Sequence, residues 1–285
     1  MLICKESQLS SRDGMELLYR TWEPEGKQIR AVICLVHGLG EHCARYGHVA
    51  ETFTREGFAL SAFDHRGHGK SNGKRGDASS YQDFMEDIEV ALDRITKVYP
   101  GLPVFLYGHS LGGNLVLNYV LRHRPSLAGV VVTGPWLKLG SEPPKYLLKL
   151  AGVMNRIWPS MTISNGLDTK KLTRNSEVCN SYTADPLVHS KISVRMFFAL
   201  RQAGEWALEN AAIFSLPLLL MHGENDPITS PKASQEFAGK VKEDCTFKLW
   251  PGAYHEVHNE TNWEEVVQYM VAWIKKTIER NAVPS

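Results

Sequence analysis

The residue best placed for chemistry is Ser110, at the centre of residues 108–112, which read GHSLG. An apolar run at 104–107 precedes this G-x-S-x-G pattern, and a helical pattern at 113–120 follows it. A serine at the tip of a sharp strand-to-helix turn presents its hydroxyl as a nucleophile, and the glycines keep the strand and the helix from clashing. The pattern also fits a glycine-rich turn with an ordinary serine, so the residues that could activate Ser110 decide between the two interpretations.

A nucleophilic serine needs a general base, and the base needs a carboxylate to orient it. Two later segments supply these groups in the order serine, carboxylate, histidine that a nucleophile elbow uses. Asp226 lies in the turn after the apolar run 218–222, and His255 lies in the loop after the run 246–250. Both positions follow the end of a predicted strand, which is where parallel sheets build active sites. The order and the placement predict a triad of Ser110, His255 and Asp226.

Two other residues could take these roles. His258 lies three residues after His255 and could be the base, and Glu224 could replace Asp226, although a solvated turn residue so close to a strand end explains it better. On count alone, histidines could also form a metal site, but their spacing lacks the H-E-x-x-H pattern, and the glycine-rich spacing of the first four suits supporting loops. These histidines are His37, His42, His65, His68, His255 and His258. We therefore expect neither a metal nor an organic cofactor.

Short apolar runs that alternate with helical patterns must position these residues. Their near-continuous hydrophobicity is typical of strands that are covered on both faces of a parallel sheet. The predicted strands are 31–36, 59–63, 104–107, 129–133, 218–222 and 246–250. Before them, Asp13 and Gly14 predict the turn of an antiparallel hairpin, and between them Ser80 and Asp83 form a potential capping box. The alternation predicts an α/β fold with a mostly parallel, doubly wound sheet.

Residues 136–212 break this alternation. A structureless loop of that length is improbable, so we predict a helical cap inserted into a core of residues 1–135 and 213–285. Two helical runs are visible in the cap, at 145–158 and 190–209. Five apolar side chains of the first run either pack the cap onto the core or line an entrance to the site. They are Tyr146, Leu147, Leu150, Met154 and Trp158.

Composition narrows the class of protein. The chain has 285 residues, of which 43% are hydrophobic and 22% charged, and these are ordinary values for a globular enzyme. A formal net charge of +1 gives no basic footprint for nucleic acid. Neither the apolar core of a signal peptide nor a membrane-spanning stretch is visible. The five cysteines are odd in number and scattered, which favours a reducing compartment, and we expect a cytoplasmic protein.

Five separated segments resemble the serine-hydrolase branch of the α/β-hydrolase superfamily that contains monoglyceride lipases and bacterial lysophospholipase-like enzymes. They occur in the order of that family and span about residues 10–280, which makes the resemblance specific. The segments are 37–42 with 45–46, 64–71, the elbow at 108–112, the turn around 226, and 253–255. The resemblance implies an α/β-hydrolase fold with a helical cap.

The resemblance also implies roles for individual residues. It selects His255 over His258 as the base and implies an oxyanion hole formed by the backbone N–H groups of Leu39 and Leu111. It further implies that some of the five apolar cap side chains line an acyl channel. Independently of these roles, we expect an ion-pair cluster beneath the oxyanion loop, formed by Arg45 with two neighbouring side chains. These neighbours are Glu41 and His42.

The activity implied by the resemblance is that of a monoacylglycerol lipase, which releases a fatty acid and glycerol through an acyl-enzyme. A carboxylesterase or lysophospholipase stays open, as do an aminopeptidase-type or haloperoxidase-type hydrolase and a ligand receptor with little turnover, because one fold hosts all of these. The expected partner is a small lipid or ester. Lys145, Lys149 and Arg156 would let the cap rest transiently on a lipid surface, which would make the protein peripheral at membranes, although solvated charges explain these residues equally well.

Overall fold

Ten strands form two sheets in the computed structural model, which describes residues 2–242 and 244–282. In chain order the strands are β1 Leu2–Ser10, β2 Glu16–Pro24, β3 Ala31–Val36, β4 Phe58–Phe63, β5 Val104–His109, β6 Gly129–Thr133, β7 Thr162–Ser164, β8 Lys191–Ser193, β9 Leu218–Gly223 and β10 Cys245–Trp250. The main sheet has the order β1-β2-β4-β3-β5-β6-β9-β10. From β4 to β10 all neighbours are parallel.

The antiparallel edge of the main sheet is the hairpin of β1 and β2, and β2 pairs antiparallel with β4. The hairpin confirms the turn expected at Asp13 and Gly14, where Gly14 has a φ of +82° that favours glycine. Together with the parallel strands, this edge confirms the predicted α/β class and the mostly parallel sheet.

The apolar runs form strands because both faces of the sheet are covered. In β3, Val32 and Cys34 point into one apolar core, while Ile33 and Leu35 point into the other. Helices from both sides complete these two cores, as a doubly wound sheet requires. The α-helices of the described residues are α1 Gly47–Arg55, α2 Tyr81–Val98, α3 Leu111–His123, α4 Lys145–Ile157, α5 Ser176–Ala184, α6 Val194–Asn210, α7 Pro231–Lys240 and α8 Trp263–Ala282, and all but α4 and α5 contribute to these cores. Helix α2 begins at the predicted capping box of Ser80 and Asp83.

The insertion between β6 and β9 contains α4, α5, α6 and the short antiparallel pair of β7 and β8. The second predicted helix of the insertion begins later than expected, at Val194 instead of residue 190, because 191–193 pair with β7. Helix α4 has no buried residue. The division of the chain at 135 and 213 into core and cap stays a prediction. Within the described residues, no helix is both long and apolar enough to cross a membrane.

Candidate active site

Ser110 sits at the turn between β5 and α3 with a φ of +55°, a backbone conformation that non-glycine residues rarely adopt. Two glycines permit this turn. A side chain at Gly112 would lie 1.9 Å from the Val36 carbonyl oxygen, and one at Gly108 would lie 2.5 Å from the Gly112 carbonyl oxygen. The glycines of the G-x-S-x-G pattern therefore allow the strand, the helix and the neighbouring β3 to approach closely at this point.

The structure brings Ser110, His255 and Asp226 into one hydrogen-bonded row. His255 Nε2 lies 2.9 Å from Ser110 Oγ, and His255 Nδ1 lies 2.7 Å from Asp226 Oδ2. Because an ionised carboxylate only accepts hydrogen bonds, Nδ1 donates to Asp226 and Nε2 is left to accept the proton of Ser110. The sheet order produces this row, since β5, β9 and β10 end at the same edge of the parallel sheet.

Asp226 is held by more partners than the sequence indicated. Its Oδ1 accepts the backbone N–H groups of Ile228 and Thr229, at 2.7 and 3.1 Å. Its Oδ2 lies 2.9 Å from His222 Nε2 and 2.8 Å from the Thr229 hydroxyl. A buried carboxylate with this many donors is fixed in position and stays ionised.

The row of side chains has the electrostatics of a base and its counter-ion. Burial alone would raise the pKa of Asp226, but His255 and the hydrogen bonds from His222 and His255 hold that pKa well below its usual range. Burial would lower the pKa of His255, yet Asp226 raises it above the ordinary value, with smaller contributions from Glu256 and Glu41. A histidine with a raised pKa and a fixed Nδ1–H is suited to take a proton and carry the resulting charge.

The expected oxyanion donors lie on two neighbouring segments. Leu39 lies in the loop after β3, Leu111 is the first residue of α3, and β3 pairs directly with the strand that leads to Ser110. Among the described residues, no hydrogen bond engages the backbone N–H of Leu39 or of Leu111. Unengaged amides at a helix start favour a negative charge nearby. Their role as the oxyanion hole stays a prediction.

His258 and Glu224, the alternative base and carboxylate, lie outside the hydrogen-bonded row. His258 is fully buried with its ring stacked on Tyr46, and burial lowers its pKa to about 3. Glu224 is exposed and accepts the backbone N–H of Gly252. Neither residue forms a hydrogen bond with Ser110 or His255 in the part of the chain that the structure describes. The histidines singled out in the sequence form no metal cluster within the same residues.

Two adjoining cavities lead to Ser110. The lining of the smaller, of about 90 Å³, includes Ser110, His255, Glu41 and Tyr182. The larger, of about 650 Å³, lies beneath α4 and is mostly apolar. Five residues line both cavities and form the passage between them. They are Trp136, Leu139, Asn165, Leu167 and Ile228.

The structure divides the five apolar cap side chains into two groups. Leu147, Leu150 and Met154 line the larger cavity. Tyr146 and Trp158 do not line it, and they are 69% and 57% exposed to solvent. These two side chains are therefore not part of the cavity wall, and their contribution to an entrance stays a prediction.

The ion-pair cluster beneath the oxyanion loop differs from expectation. Arg45 binds Glu41 as predicted, but its other partner is Glu256, next to His255. His42 instead lies 2.9 Å from Asp185, which belongs to the inserted segment. Sequence reasoning missed Glu256 because 211 positions separate it from Arg45. It also missed His222 and Thr229, although both lie within four residues of Asp226 in the sequence.

Known proteins are similar to this chain along most of its length. The family described as serine aminopeptidase, S33, matches residues 27–262. A monoacylglycerol lipase of Mycolicibacterium smegmatis is 34% identical over 92% of this chain and 93% of its own length. The crystal structure of Paleococcus ferrophilus monoacylglycerol lipase has a TM-score of 0.84 and 37% identity, covering 92% of this chain and 100% of that one. An uncharacterized abhydrolase domain-containing protein of Dictyostelium discoideum is 42% identical over 98% of this chain, which spans 30% of that relative's length.

Proposed function

Because this chain belongs to the α/β-hydrolase family described as serine aminopeptidase, S33, we propose that it is a serine ester hydrolase that cleaves monoacylglycerols into a fatty acid and glycerol. The observation that carries this proposal is the hydrogen-bonded row of Ser110, His255 and Asp226, of which Ser110 and His255 line a small cavity that adjoins a larger apolar one. The relatives that are named monoacylglycerol lipases support the choice of substrate.

The geometry suits acyl transfer. His255 takes the proton of Ser110 as its Oγ attacks the ester carbonyl carbon, and Asp226 stabilises the imidazolium that forms. The backbone N–H groups of Leu39 and Leu111 then hold the oxyanion, where a single donor is typically worth about 2.7–4 kcal/mol. His255 returns its proton to the leaving alcohol, which departs as glycerol. Water then attacks the acyl-enzyme by the same route and releases the fatty acid.

The shape and polarity of the two cavities favour an ester with one acyl chain. The larger cavity offers apolar walls for the chain, including Leu147, Leu150 and Met154. The smaller cavity contains Ser110 and includes Tyr182 in its lining, and we place the departing alcohol there. A triacylglycerol carries two further chains, which the same passage would have to admit beside the first. We therefore expect triacylglycerols to be poor substrates.

Helix α4 supports a proposal about location. Its sequence carries Lys145, Lys149 and Arg156 and no acidic residue, and it exposes large apolar side chains. These exposed side chains are Tyr146, Leu147, Leu150, Val153 and Ile157, with Trp158 directly after the helix. An apolar face beside basic residues is typical of a helix that lies on a lipid surface. We propose a cytoplasmic enzyme that touches membranes through α4, and its free cysteines suit that compartment.

The test is a substrate panel ranked by kcat/KM. It contains monoacylglycerols, diacylglycerols, triacylglycerols, lysophospholipids and aminoacyl amides, with a short p-nitrophenyl ester as a substrate that needs no acyl channel. We expect monoacylglycerols of medium or long chain to rank first, without added metal or cofactor. Ser110→Ala is the matched control for background hydrolysis.

Each alternative function has its own result in this panel. Faster cleavage of aminoacyl amides would replace the lipase by an aminopeptidase-type hydrolase. Equal cleavage of lysophospholipids and monoacylglycerols would indicate a lysophospholipase. If even the p-nitrophenyl ester were left intact, the chain would be a ligand receptor rather than an enzyme.

A further inference from the structure

A buried arginine joins the two loops that carry the proposed catalytic groups. Arg45 donates from Nη1 to Glu41, and it donates to both carboxylate oxygens of Glu256 at 2.8 and 2.7 Å. The side chains of Glu41 and Glu256 are each only 2% exposed, and that of Arg45 is 10% exposed. The Tyr182 ring covers the guanidinium at 4.6 Å and shields it from solvent. We refer to Glu41, Arg45 and Glu256 together as the carboxylate bridge.

One end of the carboxylate bridge holds the oxyanion loop. Glu41 Oε1 accepts the backbone N–H of Gly38 at 2.7 Å and the Tyr46 hydroxyl at 2.9 Å. Gly38 directly precedes Leu39, so the Glu41 carboxylate fixes the peptide that leads into the proposed oxyanion donor. A Cβ atom at Gly38 would lie 2.7 Å from Glu41 Oε1, so the carboxylate packs directly against this residue.

The other end of the carboxylate bridge holds the loop of the base. Glu256 directly follows His255, and its Oε2 also accepts a hydrogen bond from the Asn259 side chain at 2.7 Å. Its backbone N–H donates to the Leu172 carbonyl at 2.7 Å. The bidentate contact with Arg45 adds geometric restraint to these bonds, because a planar guanidinium meets a carboxylate in one orientation.

We propose that Glu41, Arg45 and Glu256 are positioning residues that set the distance between the oxyanion donor of Leu39 and the base His255. This inference rests on the proposed function, since it assumes that Ser110 attacks an ester whose oxyanion lies near Leu39. The carboxylate bridge touches neither the acyl chain nor the reacting atoms. It acts through the two backbone segments that it joins, which begin at β3 and β10 on different sides of the site.

Stability alone gives a weak reason for this arrangement. Two buried carboxylates that share one guanidinium carry a desolvation cost, and buried ion pairs are often no more stabilising than apolar residues of similar size. Catalysis, in contrast, depends on donors and base being held within a fraction of an ångström of their working positions. The network meets that need, because one end binds the N–H of Gly38, next to Leu39, and the other end is Glu256, next to His255.

The experiment compares variants of the carboxylate bridge on p-nitrophenyl butyrate, so that it does not depend on lipid recognition. We expect Glu41→Ala to lower kcat by about 10- to 100-fold with little change in KM, since removing a whole oxyanion donor costs about 10²–10³. Arg45→Lys keeps the charge but not the bidentate contact, and we expect it to lower kcat by about tenfold. Glu41→Gln keeps an acceptor for Gly38 N–H, so it should recover most of kcat.

Two further measurements separate positioning from a structural role. The inhibition constant of a trifluoromethyl ketone, whose hemiketal carries an oxyanion, should rise in parallel with the loss of kcat/KM across the variants. The matched control is Asp87→Asn. Asp87 is a fully buried carboxylate whose partners, Ser11 and Arg66, do not line the site, so this variant should lower the free energy of unfolding but leave kcat unchanged.

Several outcomes would overturn the inference. Glu41→Ala and Arg45→Lys with wild-type kcat would reduce the carboxylate bridge to a structural feature, as would an equal loss of kcat in Asp87→Asn. A wild-type protein that cleaves p-nitrophenyl butyrate but no monoacylglycerol would contradict only the proposed substrate, and the positioning test would still apply. A wild-type protein that cleaves neither ester would overturn both.

Discussion

Ser110 and His255 line the smaller cavity and helix α4 lines the larger one beside it, and the two regions are built in opposite ways. Around Ser110 the polar side chains are buried, and Asp226 has several hydrogen-bond partners. Helix α4 buries no residue, carries three basic side chains, and presents apolar side chains both to the cavity and to solvent. We refer to the buried groups around Ser110 that line the smaller cavity as the fixed wall, and to the side chains of α4 that line the larger cavity as the cap wall.

This contrast assigns different tasks to the two walls. Groups that handle charge must be preorganised, because small displacements weaken electrostatic stabilisation strongly. A wall that only removes acyl chains from water needs apolar area, and its contribution grows in small steps with each buried methylene. The fixed wall should therefore dominate kcat, and the cap wall should act on the dependence of kcat/KM on chain length.

The largest expected effect comes from Ser110 itself. Ser110→Ala removes the nucleophile and should abolish labelling by a fluorophosphonate and nearly all turnover, with losses on the order of 10⁶-fold in related chemistry. Because Ser110 and His255 act as one unit, the combination Ser110→Ala with His255→Ala should be little worse than either change alone. Steady-state turnover of the two single variants and the double variant measures this. A fully additive double variant would contradict a joint action of Ser110 and His255. A labelled peptide carrying Ser71 or Ser230 would assign the nucleophile to a different serine.

The next effect concerns Asp226 and the pH dependence of kcat/KM. His255 must be neutral to accept the serine proton, and Asp226 raises the pKa of His255. Activity should therefore rise with pH through a pKa above about 6.5, the ordinary histidine value. In Asp226→Asn the main raising charge is lost, so burial, which lowers the pKa of His255, dominates and the acidic limb should move to lower pH. The same change should lower kcat by about 10⁴-fold, because it also upsets the imidazole tautomer.

Glu224→Gln is the matched control for this prediction. Glu224 lies two residues from Asp226 but is exposed, and among the described hydrogen bonds its side chain accepts only the backbone N–H of Gly252. Removal of its charge should leave both kcat and the pH profile near wild type. If Glu224→Gln lost activity while Asp226→Asn kept it, the carboxylate of the triad would have been assigned to the wrong residue.

The sequence predicts the fixed wall better than the cap wall for a physical reason. Strands such as β3 are buried on both faces, so their residues must be apolar without interruption. Such an uninterrupted apolar run is visible in the sequence and predicts the strand. The order of Ser110, Asp226 and His255 after the apolar runs of β5, β9 and β10 predicted the triad. Glycines at 108 and 112 mark the turn because no other residue fits there.

The remaining features depend on contacts between distant segments. Strands β7 and β8 have three residues each, too few for a period to be visible, and their pairing delayed the start of α6. The contact between Arg45 and Glu256 exists because the loops after β3 and β10 meet above the sheet, which local pattern does not encode. The orientations of Tyr146 and Trp158 depend on how α4 lies over the cavity, and an amphipathic pattern alone does not fix that.

A smaller effect is expected at the cap wall. Leu150 and Met154 line the larger cavity, so Leu150→Asp or Met154→Asp should reduce cleavage of long-chain monoacylglycerols more than of short ones. Each buried methylene is worth about 0.8 kcal/mol, or roughly fourfold in kcat/KM, so the wild-type rise with chain length should flatten in these variants. The measurement is kcat/KM against acyl length for wild type and variants. A wild-type profile that is already flat would contradict the acyl channel.

Val153→Asp is the control for this cap-wall prediction. Val153 lies on the same helix, is 53% exposed and does not line the cavity. The variant Val153→Asp therefore adds the same charge to α4 without placing it in the channel. Its chain-length profile should match wild type. If it flattened the profile as much as Leu150→Asp does, the effect would come from a change in α4 as a whole and not from the cavity wall.

The smallest expected effect lies on the outer side of α4. Ile157 and Trp158 are 73% and 57% exposed. The transfer of their apolar side chains from water into the interface of a lipid bilayer should be favourable. Ile157→Ser combined with Trp158→Ser should therefore weaken sedimentation with phosphatidylcholine vesicles several-fold, while turnover of p-nitrophenyl butyrate stays unchanged. Vesicles with added phosphatidylserine should bind wild type more tightly, because each basic residue near an anionic surface contributes about 1 kcal/mol. Ile213→Ser, which removes an exposed apolar side chain away from α4, is the control. Equal vesicle binding by wild type and the α4 double variant would leave the exposed face of α4 without a membrane role.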